Sequence, residues 1–381
     1  MRSRKRWLRF ALPFAGLALA ALPARAQAAP TAPTAGYVRL ATIALPGKPL
    51  LTYDISFVDP VLRLYYLSDR TNAGVDVIDT RTNRFLERIT GDPLVGEFAG
   101  QHASNNFSGP NGVAPADFGR VWAGDGDSTV KIMDQFTARV VRTISTGGAE
   151  RANEMSYDPR DHIMLVSNEA DSPPFITLIS TRPGSEHILA RITFATATNG
   201  VQASIYNPAD GLFYVNVPQI GPDPTNGEVA VIDPRTATLV KTFPVSDCQA
   251  VGMALGPRRN LLLGCSTLTN SAASPALPTQ VIDDFSGAVI ATLPQIGGSD
   301  EAWYDPGNKT YFLASRYAAG GAQLGVIDAR TNAFLGSVPI GKGSHSVATD
   351  PYNNHVFVPL PADPADLECL NGCVGVYGLA K

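Results

Sequence analysis

The chain has 381 residues, with 30 Lys and Arg against 34 Asp and Glu and a formal net charge of −4 at pH 7. The cations Arg2, Arg4, Lys5, Arg6, Arg9 and Arg25 all lie within residues 1–26, where there is no acid, so removing that segment takes −4 to −10. An acidic remainder repels phosphate backbones, which excludes general nucleic-acid binding and docking on anionic membranes.

Residues 1–26 read as an export signal. MRSRKRWLRF is a cationic start, ALPFAGLALAAL is an apolar run too short for a stop-transfer helix, and Ala24-Arg25-Ala26 offers small residues for cleavage. SRKRWLR at 3–9 approaches a twin-arginine signal, but Lys5 stands in place of the second arginine. A linker, 27–35, follows, then one large folded region over 36–381. Nothing after Ala26 reads as a second hydrophobic span, so the expected location is the periplasm or the exterior of a bacterium, as a monomer without an integral membrane segment.

From residue 36 onward the chain repeats itself. Val77-Ile78-Asp79, Ile132-Met133-Asp134, Leu178-Ile179-Ser180, Val231-Ile232-Asp233, Val281-Ile282-Asp283 and Val326-Ile327-Asp328 recur at steps of 45 to 55 residues, with a degenerate Gly375-Val376-Tyr377-Gly378 closing the series. Such a period marks an array of supersecondary units. Each unit opens with a short strand and a turn such as YDPRD (157–161) or YDPGNK (304–309). A second strand, the VID strand, an Asp-anchored turn and a fourth alternating strand complete it. Four antiparallel strands per unit predict the blade of a β-propeller. Helices are excluded, because 30 prolines and 35 glycines punctuate the chain and no stretch sustains an i, i+3, i+4, i+7 apolar pattern.

The ends set the blade count. GYVRLATIALPG (36–47) matches the fourth strand NAFLGSVPIGKG (332–343), yet it precedes any first strand. It is expected to be the outer strand of the last blade, so the ring is all-β and seven-bladed, sealed by the N-terminal strand. Cys248, Cys265, Cys369 and Cys373 form an even set in an exported chain and predict two disulfides. Three connectivities are open, of which Cys248 with Cys265 and Cys369 with Cys373 is the most local.

Val77 to Asn83 (VIDTRTN) and Val326 to Asn332 (VIDARTN) resemble the repeat core of the YVTN family of seven-bladed propellers. The resemblance covers essentially all of 36–381 and implies that fold. It leaves function open, since the family includes scaffolds, binding proteins and relatives of enzymes. The hairpin SDCQAVGMALGPRRNLLLGCS (246–266) is also similar to one in the heavy subunit of periplasmic quinone-dependent amine dehydrogenases, which makes a propeller subunit of that kind a minor alternative.

The connections between strands two and three, and from each blade to the next, are long and variable, as in 91–110, 267–278 and 361–372. That face is the expected functional one. The innermost strands begin there, so Asp54, Asn111, Asn153, Glu154, Gln202, Asp300, Glu301 and His345 are expected to ring the channel mouth; Val251 is the apolar exception. A solvated mouth needs polar groups for water alone. The same set can also form an acidic cup for a cationic ligand, or for calcium or another divalent ion held by Glu154, Asp300, Glu301 and His345, with His102 as a further candidate. Trp122, Trp303, Tyr53 and Tyr317 are candidates for lining such a cleft.

Ser344, His345 and Asp300 compose a triad only on paper, because adjacent strand residues point to opposite faces. The leading expectation is a non-catalytic propeller that binds a small molecule or a periplasmic protein through the long-loop face. Its rival is a metal-dependent, lactonase-type hydrolase in which Glu154 or Glu301 activates water.

Overall fold

The computed structural model describes residues 36–269 and 271–380. The expected export signal (1–26) and linker (27–35) lie outside the described residues.

Seven separate four-stranded antiparallel sheets account for every named strand. Blades one to six span 56–90, 113–145, 155–193, 204–246, 250–293 and 302–339. Blade seven takes its three inner strands from 348–379 and its outer strand from Tyr37–Ala44, which pairs antiparallel with Cys373–Leu379. The expected closure by the N-terminal strand is therefore present, and the ring has no open end between its last blade and its first. Among the described residues no α-helix forms, and no helix is long and apolar enough to cross a membrane.

The repeated Asp of the VID segment has a definite role. Asp79 Oδ1 accepts from the backbone N–H of Arg81 (2.8 Å) and Thr82 (3.3 Å), and Asp328 Oδ1 does the same for Arg330 (2.8 Å) and Thr331 (3.1 Å). The side chain replaces the backbone acceptors that a tight reversal leaves unused. Asn83 and Asn332 then adopt left-handed backbone at φ 55° and 57°, a conformation asparagine tolerates better than most residues. The turns between strands one and two use the same device, with Asp59, Asp158, Asp305 and Asp350 each capping the residue two further on. Both sets of turns lie on one face, so the longer connections all emerge on the other.

Every blade also carries one β-bulge in its outer strand. The register skips Leu86, Val141, Leu189, Val240, Ile290 and Leu335 in blades one to six and Leu40 in blade seven. A bulge bends the exposed edge and interrupts its row of donors and acceptors, which blocks edge-to-edge pairing. Between blades, the inner and middle strands bury continuous apolar layers, such as Leu165, Ile176, Phe213 and Val215 between blades three and four. Cys248–Cys265 staples the entry of blade five to the end of its second strand, and Cys369–Cys373 closes a loop of blade seven. This is the most local of the three connectivities.

Candidate functional site

Equivalent backbone bonds place the ring residues. The N–H groups of Asp54, Asn111, Asn153, Gln202 and Asp300 each donate to the carbonyl of a second-strand residue in their own blade, at 2.8–3.1 Å. These residues therefore share one structural position at the long-loop end of the innermost strands. Crowding at this end requires glycine. A Cβ on Gly112 would lie 2.0 Å from the Asn153 carbonyl oxygen, and one on Gly252 would lie 2.1 Å from that of Asp300. Blades are laced directly here as well, with Glu301 N–H donating to the His345 carbonyl (3.1 Å) and Asn111 Nδ2 to the Ala152 carbonyl (3.0 Å).

The mouth is not a bare acidic cup, because three arginines enter it. Arg70 is almost fully buried; it donates to Asp54 Oδ2 and, through Nε and Nη2, to Asn111 Oδ1 at 3.0 and 2.6 Å. Arg316 pairs with Asp300 at 2.9 Å, and Arg151 pairs with Glu169. Burial pushes the Asp54 carboxyl up, but Arg70, with His345, more than reverses this and holds it well below the usual carboxylate range. Burial lowers Arg70 in turn. A guanidinium nevertheless stays protonated, so the pair is ionic.

Sequence reasoning missed Arg70, Arg151, Arg316 and Glu169. The signal for three of them was a column of the repeat. Ser68, Ser167 and Ala314 are equivalent acceptors, so Arg70, Glu169 and Arg316 all stand two residues beyond the same point. Aligning LSDR, VSNE and LASR would have exposed a charged position just past the second strand. Arg151 lies in a connection and has no such register.

Two further acids stand at the same end of their blades. Glu154 of blade three and Glu301 of blade six hold equivalent places in their blades, their carbonyls accepting the N–H of Ser167 and Ala314, each at 2.9 Å. Burial first, and then the surrounding carboxylates, push both carboxyls well above the usual range. Beside them, Asn153 Oδ1, Glu169 Oε2 and Glu301 Oε1 are buried without a hydrogen-bond partner. His345 stacks on Tyr53 with ring centroids 4.5 Å apart, directs Nδ1 at the Gly343 carbonyl (2.7 Å) and brings Nε2 to 3.7 Å from Asp54. Gln202 is half-buried at the same rim, and Val251 accepts the N–H of Ala203 through its carbonyl.

These donors fit a metal ion poorly. Asp54 and Asp300 are held by guanidinium groups, and among the described residues no three His, Cys, Asp or Glu side chains are grouped to hold an ion. His102 is exposed on its loop, with Nε2 3.1 Å from its own Ala99 carbonyl. Ser344, His345 and Asp300 do not form a relay, since the His345 nitrogens face Gly343 and Asp54 while Asp300 faces Arg316. Of the four aromatic candidates, Tyr53 lies under His345 and Tyr317 lies under the Arg316 guanidinium (4.7 Å). Trp122 is fully buried between blades two and three, and Trp303 packs edge-on against Phe57, so neither lines the mouth.

No protein-family model and no curated protein matches the chain. Solved structures match it by fold. One chain of the structure titled "Crystal Structure of Mitotic Checkpoint Complex" superimposes with a TM-score of 0.63 at 13% identity, covering 99% of both chains. At that identity the likeness is one of architecture: this chain has the fold of a seven-bladed β-propeller.

Proposed function

We propose that the chain is an exported propeller of the YVTN type, cleaved after Ala26, that binds a ligand or partner protein through its long-loop face without catalysis of its own. The VIDTRTN and VIDARTN segments support the family, and two disulfides in a chain of this size support an oxidising compartment. The propeller neighbour comes from a structure titled as a complex, and a binding or scaffold role agrees with that fold.

One observation carries the proposal. Side chains from blades one, three, six and seven converge on a single channel mouth, where burial and the neighbouring carboxylates push the Glu154 and Glu301 carboxyls well above the usual range. Blades held together by apolar layers do not need a buried carboxyl pair for stability, and such pairs cost free energy unless something compensates them.

The test is a thermal-shift screen of small polar molecules against the wild type and the Glu154→Gln/Glu301→Gln double variant. A compound that stabilises the wild type but not the variant supports binding at the mouth. Compounds that shift both proteins equally place recognition elsewhere.

A further inference from the structure

An asparagine followed by glycine leaves its side-chain amide open to attack by the next backbone nitrogen, because glycine places no Cβ in the way. The chain has four such pairs, Asn111-Gly112, Asn199-Gly200, Asn226-Gly227 and Asn371-Gly372. The fold closes three of them. Asn111 is fully buried, with Oδ1 bound to Arg70 and Nδ2 to the Ala152 carbonyl. Gly227 lies inside the strand Asn226–Asp233, opposite Val245. Gly372 N–H donates to the Cys369 carbonyl at 2.8 Å within the disulfide loop. Asn199 differs from all three. It is exposed, it lies in the connection between blades three and four, and the N–H of Gly200 makes no hydrogen bond among the described residues.

What Asn199 holds gives that chemistry a consequence. Its Nδ2 donates to Gln249 Oε1 at 2.8 Å, and Gln249 Nε2 donates to the Pro224 carbonyl. A carbonyl oxygen only accepts, so Pro224 fixes which end of the Gln249 amide faces it, and that in turn requires a donor at Asn199. Two side-chain amides thereby tie three connections of the long-loop face, 194–203, 218–225 and 247–249. Gln249 is only 3% exposed and, like Asp247, adopts left-handed backbone, at φ 49° and 54°. Such residues hold that conformation where their surroundings enforce it.

We propose that Asn199 is a site of spontaneous deamidation and that the reaction unties these connections. The Gly200 nitrogen attacks Asn199 Cγ and forms a C–N bond. Its proton passes to the departing amide nitrogen, which leaves as ammonia, and a five-membered succinimide remains. Solvent water then adds to either imide carbonyl and breaks its bond to nitrogen, giving aspartate or isoaspartate, so the net change is water in and ammonia out. The product carries a carboxylate where Gln249 Oε1 requires a donor. Acceptor then faces acceptor, and a flipped Gln249 amide meets the carboxylate only by abandoning the Pro224 carbonyl. The reaction is independent of any ligand bound at this face.

Peptide mapping by mass spectrometry after incubation of the whole exported chain in mildly alkaline buffer, folded and in urea, tests the site. In the folded chain the Asn199 peptide is expected to deamidate about two- to tenfold faster than those of Asn111, Asn226 and Asn371, the worth of one hydrogen bond. In urea the four rates should converge. Asn199→Gln keeps an amide but cannot close a five-membered ring with Gly200, so that position should stay unmodified. Hydrogen exchange reads the consequence. Asn199→Asp should exchange faster than the fresh wild type over 223–226 and 247–250, and so should the aged wild type, whereas ageing should not change Asn199→Gln. A folded-state rate at Asn199 no faster than at the other three overturns the site, and unchanged exchange in Asn199→Asp overturns the untying.

Discussion

Replacing Arg70 with methionine tests whether the mouth is held by guanidinium pairing. The side chain is almost fully buried and serves Asp54 and Asn111 at once, joining blades one and two. Methionine keeps most of the volume but leaves the Asp54 carboxylate buried and uncompensated, a loss of about 3–5 kcal/mol when one partner of a buried pair is removed. For a chain of this size that corresponds to a fall of about 4–7 °C in melting temperature.

The pH dependence gives the loss a signature. The folded value of Asp54 is depressed, so its contribution to wild-type stability is present above the unfolded carboxylate value near 4 and fades as pH falls below it. The deficit of Arg70→Met is therefore greatest at neutral pH and shrinks below about pH 4, where Asp54 can be neutral. Urea denaturation at pH 7 and pH 3.5 measures both quantities, and adding Asp54→Asn to the variant should restore most of the loss at pH 7. A deficit under about 1 kcal/mol, or one that neither acid nor Asp54→Asn relieves, refutes the pairing argument.

Three further outcomes follow from the fold. Deleting residues 36–44 strips the outer strand from blade seven and exposes the Cys373–Leu379 edge; size-exclusion chromatography should show association, and an unchanged monomer would contradict closure by that strand. Replacing Cys248 and Cys265 together by alanine removes a link across 17 residues of sequence and should cost about 3 kcal/mol in denaturant titration; a loss near zero would show that the apolar core of blade five holds the hairpin alone. Asp76 is pushed up to about 8 by burial and by Asp69, against the opposing Arg88, so its cost to the folded state grows as pH rises from about 4 to about 8. Asp76→Asn should remove that slope and gain roughly 2–4 kcal/mol at pH 9 relative to pH 5; parallel pH profiles for the two proteins would refute it.

How much was legible depended on whether a feature repeats. The VID aspartate, the asparagine four residues later and the strand at 36–47 recur, and recurrence reveals the turn, the blade and the count of blades. The seven outer-strand bulges were equally periodic, each on an aliphatic residue, but a bulge is a relation between two strands and does not show in the spacing of one. The ring position of Asp54, Asn153, Gln202 and Asp300 could be read by counting back six residues from turn prolines, whereas Asn111, whose blade lacks that proline, was only a looser equivalent.

The sequence by itself determined the all-β class, the sevenfold repeat and the closing strand, because turn chemistry and alternation act over a few residues and are copied from blade to blade. Only the tertiary structure decided which charges meet. Arg70 reaches Asp54 from 16 positions away, Arg151 finds Glu169 from a connection with no register, and Arg63 meets Asp350 only because the closed ring brings blade seven beside blade one. Charge pairing depends on distances through space, and the circle brings together residues that the chain keeps more than a hundred positions apart.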